Sequence, residues 1–62
     1  MRSGEVIRRL EAAGWVEVRQ SGSHKQFRHP DLPGRVTVPH PKADIAIGTL
    51  RSIERQSGLR LR

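Results

Sequence analysis

Three histidines, at positions 24, 29 and 40, are the residues of this sequence that titrate near neutral pH without help from their surroundings. His24 follows Gly22 and Ser23, so we expect it at the start of a strand, where the backbone is free to approach a ligand. Spacing alone favours an ordinary polar strand residue there over a reactive one. His29 precedes a proline and is expected at the rim of the core or in solvent, without a catalytic role. His40 lies between two prolines, where it either supports a site or is a loop residue.

The lack of other reactive groups narrows the chemistry that these histidines support. Their spacings of 5 and 11 residues match no usual zinc pattern and the sequence has no cysteine, so we expect no metal and no other cofactor. Peptide hydrolysis would need a serine or cysteine nucleophile with an oriented base, and the sequence has no cysteine and no acidic residue placed to orient His24. Glycoside hydrolysis would need two adjacent carboxylates, which are also missing. RNA strand scission fits the residues better, because RNA carries its own nucleophile, the 2′-hydroxyl, and needs a base for its proton and cations for its phosphate. The composition permits this reaction without demonstrating it.

Length and charge limit the kind of protein. A chain of 62 residues is long enough for one domain, which we place at residues 1–62. Lys and Arg number 12 against 6 Asp and Glu, and the resulting net charge of +6 favours a polyanionic partner, either nucleic acid or an acidic protein. No apolar run is long enough for a signal peptide or a membrane span, so we expect a soluble cytoplasmic protein.

Hydrophobic periodicity predicts a helix followed by three strands. The helix is expected over residues 4–13, with Ser3 as its N-cap and Gly14 as the left-handed residue that ends it. Trp15 follows at once and is expected to pack against the core rather than to stack on a base. Alternating apolar and polar residues, bounded by glycines and prolines, then predict strands over residues 15–20, 24–29 and 35–38.

The last third of the chain returns to a helical pattern. Ile47, Leu50 and Ile53 would lie on one face of a second helix, with Thr49 as a possible cap and Gly58 as its end. Leu59 and Leu61 would follow in a tail that folds back on the core. Together the elements predict an α+β fold of order α-β-β-β-α, in which a three-stranded antiparallel sheet carries both helices on one face.

Strand alternation assigns residues to the two faces of this sheet. The residues expected to face the helices are Val16, Val18, Phe27, Val36 and Val38. Those expected on the open face are Glu17, Arg19, His24, Gln26, Arg28, Arg35 and Thr37. Three arginines on neighbouring strands repel one another unless an anion binds between them, so this face is a candidate phosphate-binding surface, although a solvated sheet face would have a similar composition.

Four segments follow one another along nearly the whole chain: residues 10–15 (LEAAGW), 19–24 (RQSGSH), 36–40 (VTVPH) and 48–53 (GTLRSI). In this order they resemble the HicA-type mRNA interferases, the toxins of HicA–HicB toxin–antitoxin pairs. The resemblance implies a fold like that of double-stranded-RNA-binding domains, ribosome-independent cleavage of mRNA with His24 as the catalytic residue, and inhibition by a HicB-like antitoxin. Members of that family often have a second histidine directly after the first, where this chain has Lys25.

With the resemblance added, we expect a metal-independent endoribonuclease in which His24 acts as the general base on the 2′-hydroxyl. The residues expected to contact RNA or its phosphates are Arg19, Ser23, Lys25, Gln26, Arg28 and Arg35. Two other functions use the same charge and fold. The chain could be a non-catalytic RNA-binding module that recognises A-form shape through phosphates and 2′-hydroxyls, or a domain that binds only an acidic protein.

Overall fold

A computed structural model describes all 62 residues of the chain. The elements follow the order α-β-β-β-α: α1 (Ser3–Ala12), β1 (Val16–Ser21), β2 (His24–Arg28), β3 (Val36–Pro39) and α2 (Ile47–Ser57). The strands form one antiparallel sheet in the order β1-β2-β3, so β2 is central and β1 and β3 are the edges. This is the α+β fold that the sequence predicts. No helix in the structure has the length and hydrophobicity that crossing a bilayer requires.

The core lies between the helices and one face of the sheet, and the helices pack most closely against β3. Its ten buried apolar residues are Val6, Leu10, Trp15, Phe27, Val36, Val38, Ile45, Leu50, Ile53 and Leu61. The apolar residues predicted to face the core on β2 and β3 therefore meet Val6 and Leu10 of α1 and Leu50 and Ile53 of α2, and Leu61 of the C-terminal tail folds back as expected. Glu54 holds that tail by accepting hydrogen bonds from the backbone N–H groups of Leu61 and Arg62, at 2.8 and 3.3 Å. The bond from Leu61, followed by the charge of Arg62, lowers the pKa of this carboxyl below its ordinary value.

Strand β1 departs from the predicted alternation. Val16 and Val18 were expected in the core, but their side chains are 59% and 50% exposed. The core position is occupied instead by Trp15, which is 2% exposed, and this places the next residue on the opposite face. Glu17, expected on the open face, pairs with the buried Phe27 and therefore lies on the helix side.

The helix ends also differ in part from the sequence expectation. Helix α1 begins at Ser3 itself, and the preceding Arg2 makes no side-chain capping bond. Helix α2 begins at Ile47, so Thr49 lies inside it and is no cap, while Ile47 is exposed rather than buried. Gly14 and Gly58 adopt the predicted left-handed backbone, with φ of 97° and 76°.

Gly14 is the glycine at which a side chain has least room. An alanine Cβ at this position would lie 2.8 Å from Nε2 of His29, and φ is positive as well. We predict that Gly14→Ala lowers the free energy of unfolding by about 2 kcal/mol or more, since the left-handed conformation alone costs about 1–2 kcal/mol in a non-glycine residue. Denaturant titration measures this. Gly34→Ala is the matched control, because Gly34 has φ of 82° and open space around it; equal losses in the two variants would contradict the close contact with His29.

Candidate active site on the open sheet face

His24 is the first residue of β2 and stands at the end of the tightest turn in the sheet. Ser21 and His24 are paired across β1 and β2, which leaves Gly22 and Ser23 as a two-residue loop. Gly22 has φ of 58°, the positive value that the first position of such a loop favours. The His24 side chain is exposed and takes part in none of the side-chain hydrogen bonds of the protein. An imidazole with both nitrogens free is available to accept a proton from a bound ligand.

The strand register defines which side chains share a face with His24. Because directly paired residues project to the same side, the open face carries three rows across the sheet. They are Ser21–His24–Pro39, Arg19–Gln26–Thr37 and Val16–Arg28. None of these residues is acidic, and neither arginine forms a salt bridge. The face is therefore electropositive around a free imidazole.

A β-bulge in β1 brings Arg19 to this face. The register advances by two residues on β1, from Glu17 to Arg19, while it advances by one on β2, so Val18 is the extra residue. Without this extra residue, strict alternation would put Arg19 on the same side as Glu17, which is the helix side of the sheet. The sequence prediction also placed Arg19 on the open face, but it assumed a strict alternation along β1, which the bulge breaks.

Arg35 also borders the open face, although it precedes β3. Its guanidinium donates a hydrogen bond of 2.8 Å to Oε1 of Gln26. Gln26 is thus fixed in orientation with its amide NH₂ group left to donate, and Arg35 retains further N–H donors and its full charge. The middle of the open face is therefore lined by Arg19, Gln26, Arg28 and Arg35.

Lys25 and Ser23 occupy different positions from these four. Lys25 is paired with Val38 and Gln20, on the helix side of the sheet, where its ammonium group lies 2.9 Å from the carboxylate of Glu17. It does not share a face with His24. Ser23 lies in the exposed turn directly before His24, and its carbonyl accepts a hydrogen bond of 2.7 Å from the backbone N–H of His40.

The other two histidines are engaged in hydrogen bonds to other parts of the protein. Nδ1 of His29 accepts a hydrogen bond from the N–H of Asp31, so its Nε2 must carry the hydrogen that is donated to the carbonyl of Ala13, both at 3.0 Å. Its ring meets that of Trp15 edge-on, with 5.3 Å between centroids. His29 therefore joins the end of β2 to the end of α1, and Trp15 is a core residue, as the sequence predicts.

His40 is held at the start of α1. Its Nδ1 lies 2.7 Å from the hydroxyl of Ser3, and the same hydroxyl oxygen accepts a 2.9 Å bond from the N–H of Lys42. The backbone N–H of Ser3 in turn donates to the carbonyl of Lys42, at 2.9 Å. His40 follows Pro39, which lies on the open face, and its own ring is directed to the helix side.

Comparison with known proteins identifies the family. The model of the family described as "HicA toxin of bacterial toxin-antitoxin" matches residues 3–59. This chain belongs to the HicA toxin family. A solved structure described as "HicA3 and HicB3 toxin-antitoxin complex" contains a chain that is 38% identical to this HicA-family protein, with a TM-score of 0.85 over 100% of both chains. A search of curated proteins finds no match.

This HicA-family chain also has a basic cleft that no local sequence signal indicates. A cleft of about 580 Å³ opens between the start of α1 and the loop after β3, and Arg2, Arg8 and Lys42 are its basic lining residues. Lys42 is far from Arg2 and Arg8 in the sequence and is brought to the start of α1 by the bonds between Ser3 and Lys42. No periodicity signal links residue 42 to the first turn of α1.

Proposed function

We propose that residues 1–62 act as one toxin domain that cleaves mRNA in the cytoplasm, without ribosomes and without a metal ion, and that His24 is the catalytic base. The proposal extends the family assignment from toxin to a specific reaction. The observation that carries it is the free, exposed imidazole of His24 on a sheet face with arginines and no carboxylate.

The reaction is an intramolecular transesterification of RNA. His24 accepts the proton of a ribose 2′-hydroxyl, and the 2′-oxygen forms a bond to the adjacent phosphorus. The bond from phosphorus to the 5′-oxygen breaks, and the leaving oxygen takes a proton from water or from the histidine that was just protonated. The products are a 2′,3′-cyclic phosphate and a 5′-hydroxyl end. No nucleophile from the protein is needed, which agrees with the absence of cysteine. The serine that is bonded to a histidine, Ser3, is buried on the helix side of the sheet.

The arginines supply the charge stabilisation that this reaction requires. The phosphorus centre gains negative charge on its equatorial oxygens as the 2′-oxygen attacks, and guanidinium groups donate paired hydrogen bonds to such oxygens. Arg19 and Arg28 flank Gln26 on the open face, and all three are candidates for phosphate contacts, with Arg35 beside them. Ser23 has its exposed hydroxyl one residue from His24 and is a further candidate.

Lys25 contributes differently in this proposal. Its ion pair with Glu17 lies on the other face and offsets its charge, so we expect it to stabilise the pairing of β1 and β2 rather than to contact the phosphate at His24. The position at which related toxins often carry a second histidine is therefore not part of the catalytic surface in this chain.

A HicB-like antitoxin is the protein partner that we propose. The related chain of known structure is described as part of a HicA3–HicB3 complex. Here a net charge of +6 attracts an acidic partner, and carboxylates placed over Arg19 and Arg28 would exclude RNA phosphates from the same surface. The edge strand β1, which carries Arg19, also offers apolar area to that partner, because Val16 and Val18 are half or more exposed.

The experiment that tests the proposed function is incubation of the purified protein with a long single-stranded RNA in excess EDTA. We expect progressive cleavage, because none of the proposed steps uses a metal ion. Binding without cleavage, shown by a gel shift of intact RNA, would instead support the non-catalytic RNA-binding module. Cleavage that EDTA abolishes and added Mg²⁺ restores would contradict the metal-free mechanism.

A further inference from the structure

The turn that carries His24 is attached to β3 by a backbone bond from His40. In an antiparallel ladder hydrogen-bonded pairs alternate with pairs that exchange no backbone bonds, and His24–Pro39 is one of the latter, where the missing N–H of proline is tolerated. The next donor along β3 is the N–H of His40, which reaches the carbonyl of Ser23 at 2.7 Å. The bond therefore fixes the residue directly before His24.

His40 is in turn held by the first residue of α1. The Ser3 hydroxyl accepts a hydrogen bond from the N–H of Lys42 and is also hydrogen-bonded to Nδ1 of His40. Ser3 is 2% exposed, so these bonds are partly shielded from water. A continuous path of hydrogen bonds thus runs from Lys42 through Ser3 and His40 to Ser23.

We propose that the Ser3 hydroxyl and the His40 imidazole are positioning residues that set the location of the His24 ring. The inference rests on the proposed function, in which His24 is the base. Neither group contacts RNA, because both lie on the helix side of the sheet. They act by fixing the backbone of residue 40, and through it the Gly22–Ser23 turn. A catalytic group displaced by about 1 Å can lose up to about a hundredfold in rate.

The test is Ser3→Ala, with Ser57→Ala as the matched control. Ser57 is also a buried serine: its hydroxyl donates to the carbonyl of Ile53 at 2.7 Å and its oxygen accepts from the N–H of Leu59 at 3.2 Å, in a part of the fold away from His24. Both variants lose the same chemical group, so a general loss of stability would affect both. We expect kcat to fall about tenfold or more in Ser3→Ala, with KM for RNA changed by less than about twofold, and to stay at the wild-type value in Ser57→Ala.

Two further variants separate positioning from a structural effect. Ser3→Thr keeps the hydroxyl and should restore kcat. His40→Ala should reduce kcat as Ser3→Ala does, and the double variant should be no slower than either single one, because the two groups act as a unit. Equal kcat in Ser3→Ala and Ser57→Ala, or no recovery in Ser3→Thr, would overturn the inference.

Amide hydrogen exchange keeps this test independent of the proposed function. The His40 N–H donates to Ser23, so its exchange should be faster in Ser3→Ala than in Ser57→Ala at equal global stability. If the wild-type protein cut no RNA, the proposed function would fail, and this exchange rate would still decide whether Ser3 holds the turn. Unchanged protection of the His40 N–H in Ser3→Ala would refute the anchoring of the turn whatever the activity.

Discussion

Replacement of His24 by alanine should reduce the rate of RNA cleavage by about 10²- to 10⁴-fold, the usual contribution of a positioned general base. The exposed imidazole makes no side-chain hydrogen bond, and no second histidine shares the open face. Since His24 is exposed and makes no side-chain hydrogen bond, the variant should unfold at the same denaturant concentration as the wild type. Initial rates on one RNA, at equal protein concentration, measure the effect.

Two controls make this result specific to the imidazole. His24→Gln retains a polar side chain that cannot serve as a base and should be as slow as His24→Ala. Free imidazole added to His24→Ala should restore part of the activity, because removal of an exposed ring leaves open space in which the added base can reach the RNA. A His24→Ala protein that cuts RNA at the wild-type rate, once contaminating nuclease is excluded, removes His24 from the mechanism.

The second large effect concerns the substrate. A single 2′-deoxynucleotide on the 5′ side of the cleaved bond should abolish cleavage at that bond, because it removes the oxygen that attacks phosphorus. Binding should change little, since the contacts proposed for the arginines are to phosphates and the phosphates remain. An oligonucleotide with one strongly preferred site, compared with its singly deoxy-substituted form, provides the measurement.

The matched control for this substrate is a deoxy substitution several nucleotides away. It should leave the rate at the preferred site unchanged. Continued cleavage at the substituted bond would mean that water or a protein group attacks the phosphorus, and His24 would then have another role.

Local signals in the sequence were sufficient for the elements of this fold. Gly14 and Gly58 end the helices because a left-handed residue is needed there, and the change from helical to alternating periodicity locates the strands. The position of His24 at the start of β2 also follows from local chemistry, since Gly22 and Ser23 form the preceding turn. These features depend on residues near one another in the chain.

The faces of β1 and the network around Ser3 could not be predicted in the same way. Which of Trp15 and Val16 enters the core depends on packing against α1 and the rest of the sheet, and the bulge at Val18 leaves no mark in the hydrophobic pattern. The sequence suggested Ser3 as an N-cap, whereas its hydroxyl bonds to His40, 37 residues away. Such a contact is a consequence of the tertiary structure rather than of local sequence.

The central claim is that an exposed imidazole removes the proton of a ribose hydroxyl, and the chemical form of the new RNA ends tests it most directly. Mass spectrometry of fragments made by the wild-type protein in EDTA should find 2′,3′-cyclic phosphates and 5′-hydroxyls, and His24→Ala should yield almost none. Fragments that carry 3′-hydroxyl and 5′-phosphate ends, produced at the same rate by both proteins, would contradict the account.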